Sequence, residues 1–539
     1  MHTVEAILAL ILVVTLVAVL ARLVHMPVPL LWIGAGILLC FVPGLSRVHI
    51  DPSVFFLLFI PPLLYADGWV MPRRDLLRVI RPVIALAFGL VLATVVGVGY
   101  AIHALIPSLP LAAAFALGAI VSPTDALATA AMTERLPLPR QVTLILNGES
   151  LINDASGLVA FKLAVAATAT GAFSLLDAGG ELVLVAAGGT IAGLIVAYCA
   201  GVAHGVIARA GVELPHVHTM LSLLTPFAAY LAAERFEVSG ILAVVAAGLY
   251  SGWRDARRMG ARNRQYSMQV WSMVLFVFNG LVFVLLGLSL PDAISALAPR
   301  FPWTTLAVQA VAVWLVVTLI RLAWVYPGAY LAPLLFPSLR EREGPQDPRA
   351  VFIVGWSGLR GSVTMAAALS LPMLTATGAP FPGRDQIVFL AATTILLTLL
   401  LNGLTLPALI RALGMPGDEE AEREVRTAEM ALAAAAVAAL RAELLRITDD
   451  DERRFAQNLL QQYERRGALF GADGERRQAL LHAAHAYRRI VMLALEAERA
   501  ELYSLRERDV INDETARSQE PRIDHLELYA ARVIGEREP

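Results

Sequence analysis

The chain has 539 residues, 57% of them hydrophobic and only 16% charged, with a mean hydropathy of +0.65. Soluble domains carry about 25% charged residues, so a single soluble enzyme and a secreted disulfide scaffold are both excluded. The net charge of -2 conceals a split: residues 1–414 hold 19 acids and 24 bases, whereas residues 415–539 hold 26 acids and 19 bases. The first part reads as a polytopic membrane domain and the second as a water-facing tail.

A membrane helix needs roughly 20 mostly apolar residues. Apolar runs punctuated by Pro, Gly and charge predict about thirteen helical spans, near residues 4–22, 27–43, 52–70, 81–106, 110–133, 140–169, 180–209, 216–235, 238–253, 267–290, 303–336, 350–375 and 385–411. The first residues, Met1-His2-Thr3-Val4-Glu5, carry no basic cluster and run straight into the first span, so no cleaved leader is expected. Cys40 and Cys199 both lie in apolar runs and read as small core residues, with no disulfide expected.

Orientation follows from the arginines. The loops after odd-numbered spans hold seventeen, among them Arg22, Arg73, Arg135, Arg264 and Arg349; the opposite loops hold only Arg47, Arg235, Arg300 and Arg384. By the positive-inside rule the N-terminus is outside and the tail cytoplasmic, in an inner or plasma membrane. These short basic loops and an acidic tail give no nucleic-acid signal. Three bases fall inside spans: Arg321, Arg360 and Lys162, the only lysine in the chain. A charge at that depth is costly and should face protein or water.

Intramembrane acids are few: Asp125, Glu149 and Asp154, with Asp67 nearer a span end. In Val121-Ser122-Pro123-Thr124-Asp125 the proline removes a backbone donor and frees carbonyls of the preceding turn, which Ser122 and Thr124 can help to satisfy. A broken helix at membrane depth is tolerated only where it is buried or lines a cavity. Its bare oxygens, with Asp125, are hard ligands for a small cation.

Along Asn147-Gly148-Glu149-Ser150-Leu151-Ile152-Asn153-Asp154, helical spacing puts Ser150 and Asp154 on one face and Glu149 and Asn153 on the next. The first face offers oxygens to an ion. The second offers Glu149 as a partner for a buried cation, with Arg360 as its expected match. Gly355-Trp356-Ser357-Gly358-Leu359-Arg360-Gly361-Ser362 weakens a second helix with three glycines, although such glycines also suit plain helix packing. Arg360 there needs an acidic or carbonyl partner. Asp125 lies in span 5 and Arg360 in span 12, an odd offset that reverses direction. Spans 1–6 and 8–13 then form inverted repeats around span 7, and interrupted helices at matching positions point to a transporter site.

At these residues the sequence resembles the monovalent cation:proton antiporter-1 family of bacterial sodium/proton antiporters and eukaryotic sodium/proton exchangers. The matching stretches are Pro61-Pro62-Leu63-Leu64-Tyr65, Ser122-Pro123-Thr124-Asp125, Gly148-Glu149-Ser150-Leu151-Ile152-Asn153-Asp154, Ser239-Gly240-Ile241-Leu242-Ala243, Gly358-Leu359-Arg360-Gly361 and Asn402-Gly403-Leu404-Thr405-Leu406-Pro407. The resemblance implies an all-α, thirteen-helix homodimer with inverted repeats and crossed broken helices. It implies Na+/H+ exchange with no cofactor, electroneutral because Asn153 precedes Asp154. Asp154 would be the ion- and proton-binding carboxylate, with Asp125, Ser150 and the Thr124 backbone completing a Na+ cage. Asn153 would steady the crossing and Glu149 would pair with Arg360. Many members carry an acid directly after Pro-Pro-x-x-x, but Ala66 stands there and the acid is Asp67. A one-residue slip turns a side chain by about 100°, so the corresponding role is not carried over to Asp67. Lys162 and Arg321 read as helix-orienting ion pairs.

The expected layout is a cation/proton exchanger domain over 1–414 and a helical cytoplasmic tail over 415–539. In the tail, Ala431–Leu445 and Glu475–Arg508 show helical spacing, and His482, His485 and His525 are candidate pH or metal sensors in an otherwise ordinary bundle or hairpin. Potassium may stand in for sodium, since oxygen ligands alone do not set ion size, and buried acids could instead line a channel. An enzyme is not expected: Ser150 and Asp154 have no adjacent histidine base, and no His-Glu-x-x-His occurs.

Overall fold

Every predicted apolar run carries helix among the described residues. The computed structural model describes residues 2–24, 26–42, 52–133, 136, 138–170, 175–210, 214–335, 346–375, 378–415 and 419–532. The loop residues Arg47, Arg135, Arg340 and Arg342 lie outside these. The described residues divide into two compact units, Met1–Pro416 and Gly417–Pro539.

The first unit opens with α1 (His2–Val24), α2 (Val28–Leu39), α3 (Pro52–Val70), the short α4 (Arg73–Arg78) and α5 (Ile80–Leu105). One span is split into α6 (Leu111–Ile120) and α7 (Ala126–Thr133). Then come α8 (Arg140–Thr170), α9 (Leu175–Arg209), α10 (Pro215–Arg235), α11 (Gly240–Arg258), α12 (Ala261–Leu297) and α13 (Trp303–Leu335). A second span is split into α14 (Pro348–Trp356) and α15 (Ser362–Leu369), and α16 (Arg384–Leu413) ends the unit. Among the described residues, seven helices are long and apolar enough to cross a membrane by themselves, and strand structure is limited to one isolated bridge between Leu374 and Pro380.

The burial pattern is that of a membrane protein. Leu64, Leu117, Val313, Leu390 and Ile395 are fully enclosed in a continuous core, while the outer faces are also apolar. Leu8, Leu12 and Leu16, four apart on α1, are about 60% exposed, as are Ile191, Ile195 and Tyr198 on α9. Apolar stripes of this extent are unfavourable in water and favourable in lipid. Thr15, Thr168, Thr190 and Thr225 each donate to a carbonyl four residues back on their own helix.

The second unit consists of α17 (Glu419–Leu444), α18 (Asp450–Gly471), α19 (Gly474–Glu507) and α20 (Asp513–Arg532). It contains both helices expected from the tail. Ion pairs Arg466–Glu429 and Arg441–Glu464 join α17 to α18, and Arg499 joins α19 to Asp524 and Glu527 of α20. Those two carboxylates raise the Arg499 pKa further above its ordinary value. Leu495, Leu502 and Ile523 form the small apolar core of the second pair. His482 and His485 are exposed on α19, and the His525 ring meets the carbonyl of Pro521. Among the described residues no three His, Cys, Asp or Glu side chains converge as a metal site.

Candidate functional site

The two split spans meet at their breaks. Pro123 has no N–H to give to the turn before it, and the freed carbonyl of Ala119 accepts from the Ser122 hydroxyl at 2.9 Å. The carbonyl of Val121, at the end of α6, accepts from Arg360 Nε at 2.9 Å, and Arg360 also reaches the carbonyl of Gly358. In return the Asp125 N–H donates to the Leu359 carbonyl at 2.8 Å. Each break therefore satisfies backbone groups that the other leaves open.

Asp125 ties the crossing at its centre. Its Oδ1 accepts from the N–H of Ala128 at 2.9 Å, an N-terminal cap on α7. Its Oδ2 accepts from the N–H of Ser362, the first residue of α15, at 3.3 Å. One carboxylate thus faces the starts of two half-helices, where backbone dipoles favour negative charge. Gly361 permits this approach, because a Cβ at that position would overlap the Asp125 carboxylate. Gly358 does the same for the cations: a Cβ there would stand 2.6 Å from Arg321 Cδ and 2.7 Å from an Arg360 terminal nitrogen.

The long helix α8 passes the crossing and presents its two faces as the spacing predicts. Ser150 donates to the Thr124 carbonyl at 2.8 Å and accepts from the Ala126 N–H at 3.2 Å, so it bridges the break. Asn153 donates to Thr124 Oγ1 at 2.8 Å, and that hydroxyl donates on to Glu149 at 3.2 Å. Asn153 of α8 thus holds the hydroxyl of Thr124 at the break.

The expected pairing of Glu149 with Arg360 is not what forms. Glu149 is matched by Arg321 of α13, which engages both carboxylate oxygens and also donates to the Val354 carbonyl at 2.9 Å. Arg360 takes the carbonyl partners instead. Both arginines lie beside the break, and only the tertiary packing decides which one meets the carboxylate. Lys162 of α8 pairs with Glu234 of α10 at 2.8 Å, with side chains 49% and 40% exposed. Asn402, in a π-helical turn of α16 (Thr398–Gly403), donates to the Trp356 carbonyl at the end of α14 and accepts from Trp314. Thr398 of the same turn accepts from the Arg360 N–H.

A cavity of about 350 Å³ of empty space, open solvent included, lies at the crossing. Asp67, Thr124, Asp125, Ser150 and Asp154 line it, with Ser362, Val363 and Thr364 of α15. Asp154 is 4% exposed, and among the described residues its carboxylate meets neither a hydrogen-bond donor nor a cation. Asp67 reaches this cavity from α3, whereas Ala66 beside it is buried in packing. The one-residue slip therefore leaves an acid facing the site. Sequence reasoning read Arg321 as a helix-orienting ion pair without matching it to Glu149 and did not single out Thr364; a charge inside an apolar run was the signal for the first, and no local signal marked the second.

Comparison with known proteins agrees with this geometry. Residues 8–412 match the family described as sodium/hydrogen exchanger, transmembrane. A sodium, potassium, lithium and rubidium/H+ antiporter of Bacillus pumilus is 37% identical, over 93% of this chain and 74% of its own length. An Escherichia coli protein described as the uncharacterized Na+/H+ exchanger YjcE is 37% identical over 97% of this chain and 98% of its own. The solved structure of the sodium proton antiporter MjNhaP1 of Methanocaldococcus jannaschii matches with a TM-score of 0.57 at 20% identity, covering 76% of this chain and 99% of that one, a likeness of fold.

Proposed function

The chain belongs to the sodium/hydrogen exchanger family, and we propose that it exchanges Na+ for H+ across the plasma membrane through Asp154. The contrast between two buried carboxylates five residues apart on α8 supports this reading. Glu149 is neutralised by Arg321, whereas among the described residues Asp154 faces the cavity without a protein cation or donor. Burying an isolated carboxylate is costly, so Asp154 favours either a proton or a metal cation. Competition of the two for one negative site makes exchange obligatory without any cofactor, the gradients supplying the energy.

Asp125, Asp67, Ser150 and the Thr124 carbonyl are the remaining proposed donors. Asp67, Asp125 and Asp154 line the cavity with the neutral oxygens of Ser150, Thr124 and Thr364 between them, so hydroxyl and carbonyl groups would share the shell around a transported cation with carboxylates. Neutral oxygens of this kind also accept larger alkali cations, and the Bacillus pumilus relative is named for sodium, potassium, lithium and rubidium. K+/H+ exchange is therefore the second reading. We also propose electroneutral exchange, a homodimer with the N-terminus outside, and a regulatory role for the tail.

The test is cation-driven dequenching of a pH gradient in everted, antiporter-deficient vesicles. The wild type should respond to Na+, Li+ and K+ in a measurable order, and Asp154→Asn should respond to none. Near wild-type exchange by Asp154→Asn would sink the assignment. Net charge movement under an imposed potential would sink electroneutrality alone.

A further inference from the structure

Thr364 is 1% exposed, its hydroxyl has no hydrogen-bond partner among the described residues, and the residue lines the cavity. A buried hydroxyl left unsatisfied forfeits the hydrogen bonds it made to water and is destabilising. Other helical threonines of this chain avoid that cost by donating to the carbonyl four residues back, as Thr129, Thr133, Thr393 and Thr394 do. Thr364 does not.

The hydroxyls nearest the expected cage are already engaged. Thr124 Oγ1 is held between Asn153 and Glu149, and Ser150 Oγ between the Thr124 carbonyl and the Ala126 N–H. Both Asp125 oxygens accept backbone N–H groups. Among the described residues Thr364, on the second broken helix, is thus a neutral hydroxyl left uncommitted in a cavity also lined by the carboxylates of Asp154 and Asp67.

We propose that the Thr364 hydroxyl is a direct ligand of the transported cation, a neutral oxygen supplied by α15 that helps to set which alkali cation is preferred. This rests on the exchange reading above and adds a specificity-determining residue to it. A hydroxyl binds a cation through its lone pair and adds no charge, so it strengthens the cation-bound state of Asp154 without strengthening the protonated one.

The experiment compares Thr364→Val, isosteric but without the oxygen, with Thr364→Ser, which keeps it, in the full-length chain in everted vesicles. Thr364→Val is expected to raise the apparent KM for the cation by about fivefold or more, the loss of one such contact. Vmax should be little changed, the order among Na+, Li+ and K+ should shift, and the activity profile should move to higher pH as protons outcompete the weakened cation. Thr364→Ser should stay close to wild type. A packing role would lower Vmax at every pH and leave the cation order alone.

Unchanged KM values in Thr364→Val for all three cations would overturn the proposal, as would equal impairment of both variants. If Thr364→Val does not accumulate, thermal protection of purified wild type and Thr364→Ser by each cation replaces it. Thr364→Ser should then keep the wild-type order of midpoints, and a protein protected by none of them overturns the ligand role. The Asp154→Asn variant separates the two ideas: its loss of exchange with a silent Thr364→Val refutes the threonine alone.

Discussion

Arg321 closes its two terminal nitrogens on the two carboxylate oxygens of Glu149, at a depth where the side chains are 1% and 0% exposed. The pair joins α13 to α8, and Arg321 spends its remaining donors on the Val354 carbonyl of α14. Removing one partner of such a pair leaves an uncompensated charge and costs about 3–5 kcal/mol, whereas replacing both by apolar groups can be close to neutral. Arg321→Met is therefore expected to lower the thermal midpoint sharply. The double variant Arg321→Met, Glu149→Leu should recover much of the loss. Arg321→Lys should fall between, since an ammonium cannot reproduce the two-pronged contact. Melting in detergent measures all three, and a double variant no better than Arg321→Met would refute the pairing as the cause.

Asp125 should separate stability from exchange. In Asp125→Asn the side-chain oxygen can still cap the Ala128 N–H, so the stability cost should stay near about 1 kcal/mol. The negative charge between the two half-helices is lost, and exchange should fall by at least about tenfold, the equivalent of roughly 1.4 kcal/mol. Gly361→Ala should do the opposite, because its methyl would overlap the Asp125 carboxylate and force the breaks apart. Reduced folded yield with Gly361→Ala, beside a well-folded but slow Asp125→Asn, is the expected outcome in paired melting and flux measurements.

Asp67 tests what a shift of one residue means on a helix. The acid at position 67 faces the cavity and the alanine at 66 is packed away. Asp67→Asn should raise the apparent KM for the cation, most strongly at alkaline pH, where the wild-type carboxylate is ionised and draws the cation in, and least at acid pH, where protonation neutralises position 67 in the wild type as well. Moving the acid with Ala66→Asp, Asp67→Ala should fail to restore exchange and should lower stability, because it buries a carboxylate away from the cavity. Restoration by the moved acid would show that total negative charge, rather than position, is what α3 contributes.

The parts of this site that were legible in the sequence are those fixed by local chemistry. Pro123 announces a broken helix because a missing N–H frees a carbonyl a turn earlier, and Ser122 repairs it within the same segment. Ser150 and Asp154 share a face because they are four apart, and both line the cavity. What stayed hidden was set by packing between distant helices. Glu149 had two arginines to choose from, 172 and 211 positions away, and nothing in spacing distinguishes a guanidinium that meets a carboxylate from one that caps carbonyls. The slip at Ala66 and Asp67 was visible, but its outcome depends on how α3 is rotated against α8. Thr364 looked like any threonine in an apolar helix until its missing hydrogen bond was seen.

Lys162 should mark the other extreme of ion pairing. It meets Glu234 at 2.8 Å near the C-terminal ends of α8 and α10, and both side chains are roughly half exposed. Pairs of that kind contribute about 0.2–1 kcal/mol, since each partner keeps much of its solvation. Lys162→Met is expected to leave KM and Vmax within about twofold of wild type and to shift stability by less than about 1 kcal/mol. A cycle with Glu234→Gln should show a small coupling that fades as salt is added, because screening acts on exposed charges first. A large, salt-independent coupling, or loss of exchange in Lys162→Met, would mean that the only lysine of the chain is part of the ion path and not a tie between α8 and α10.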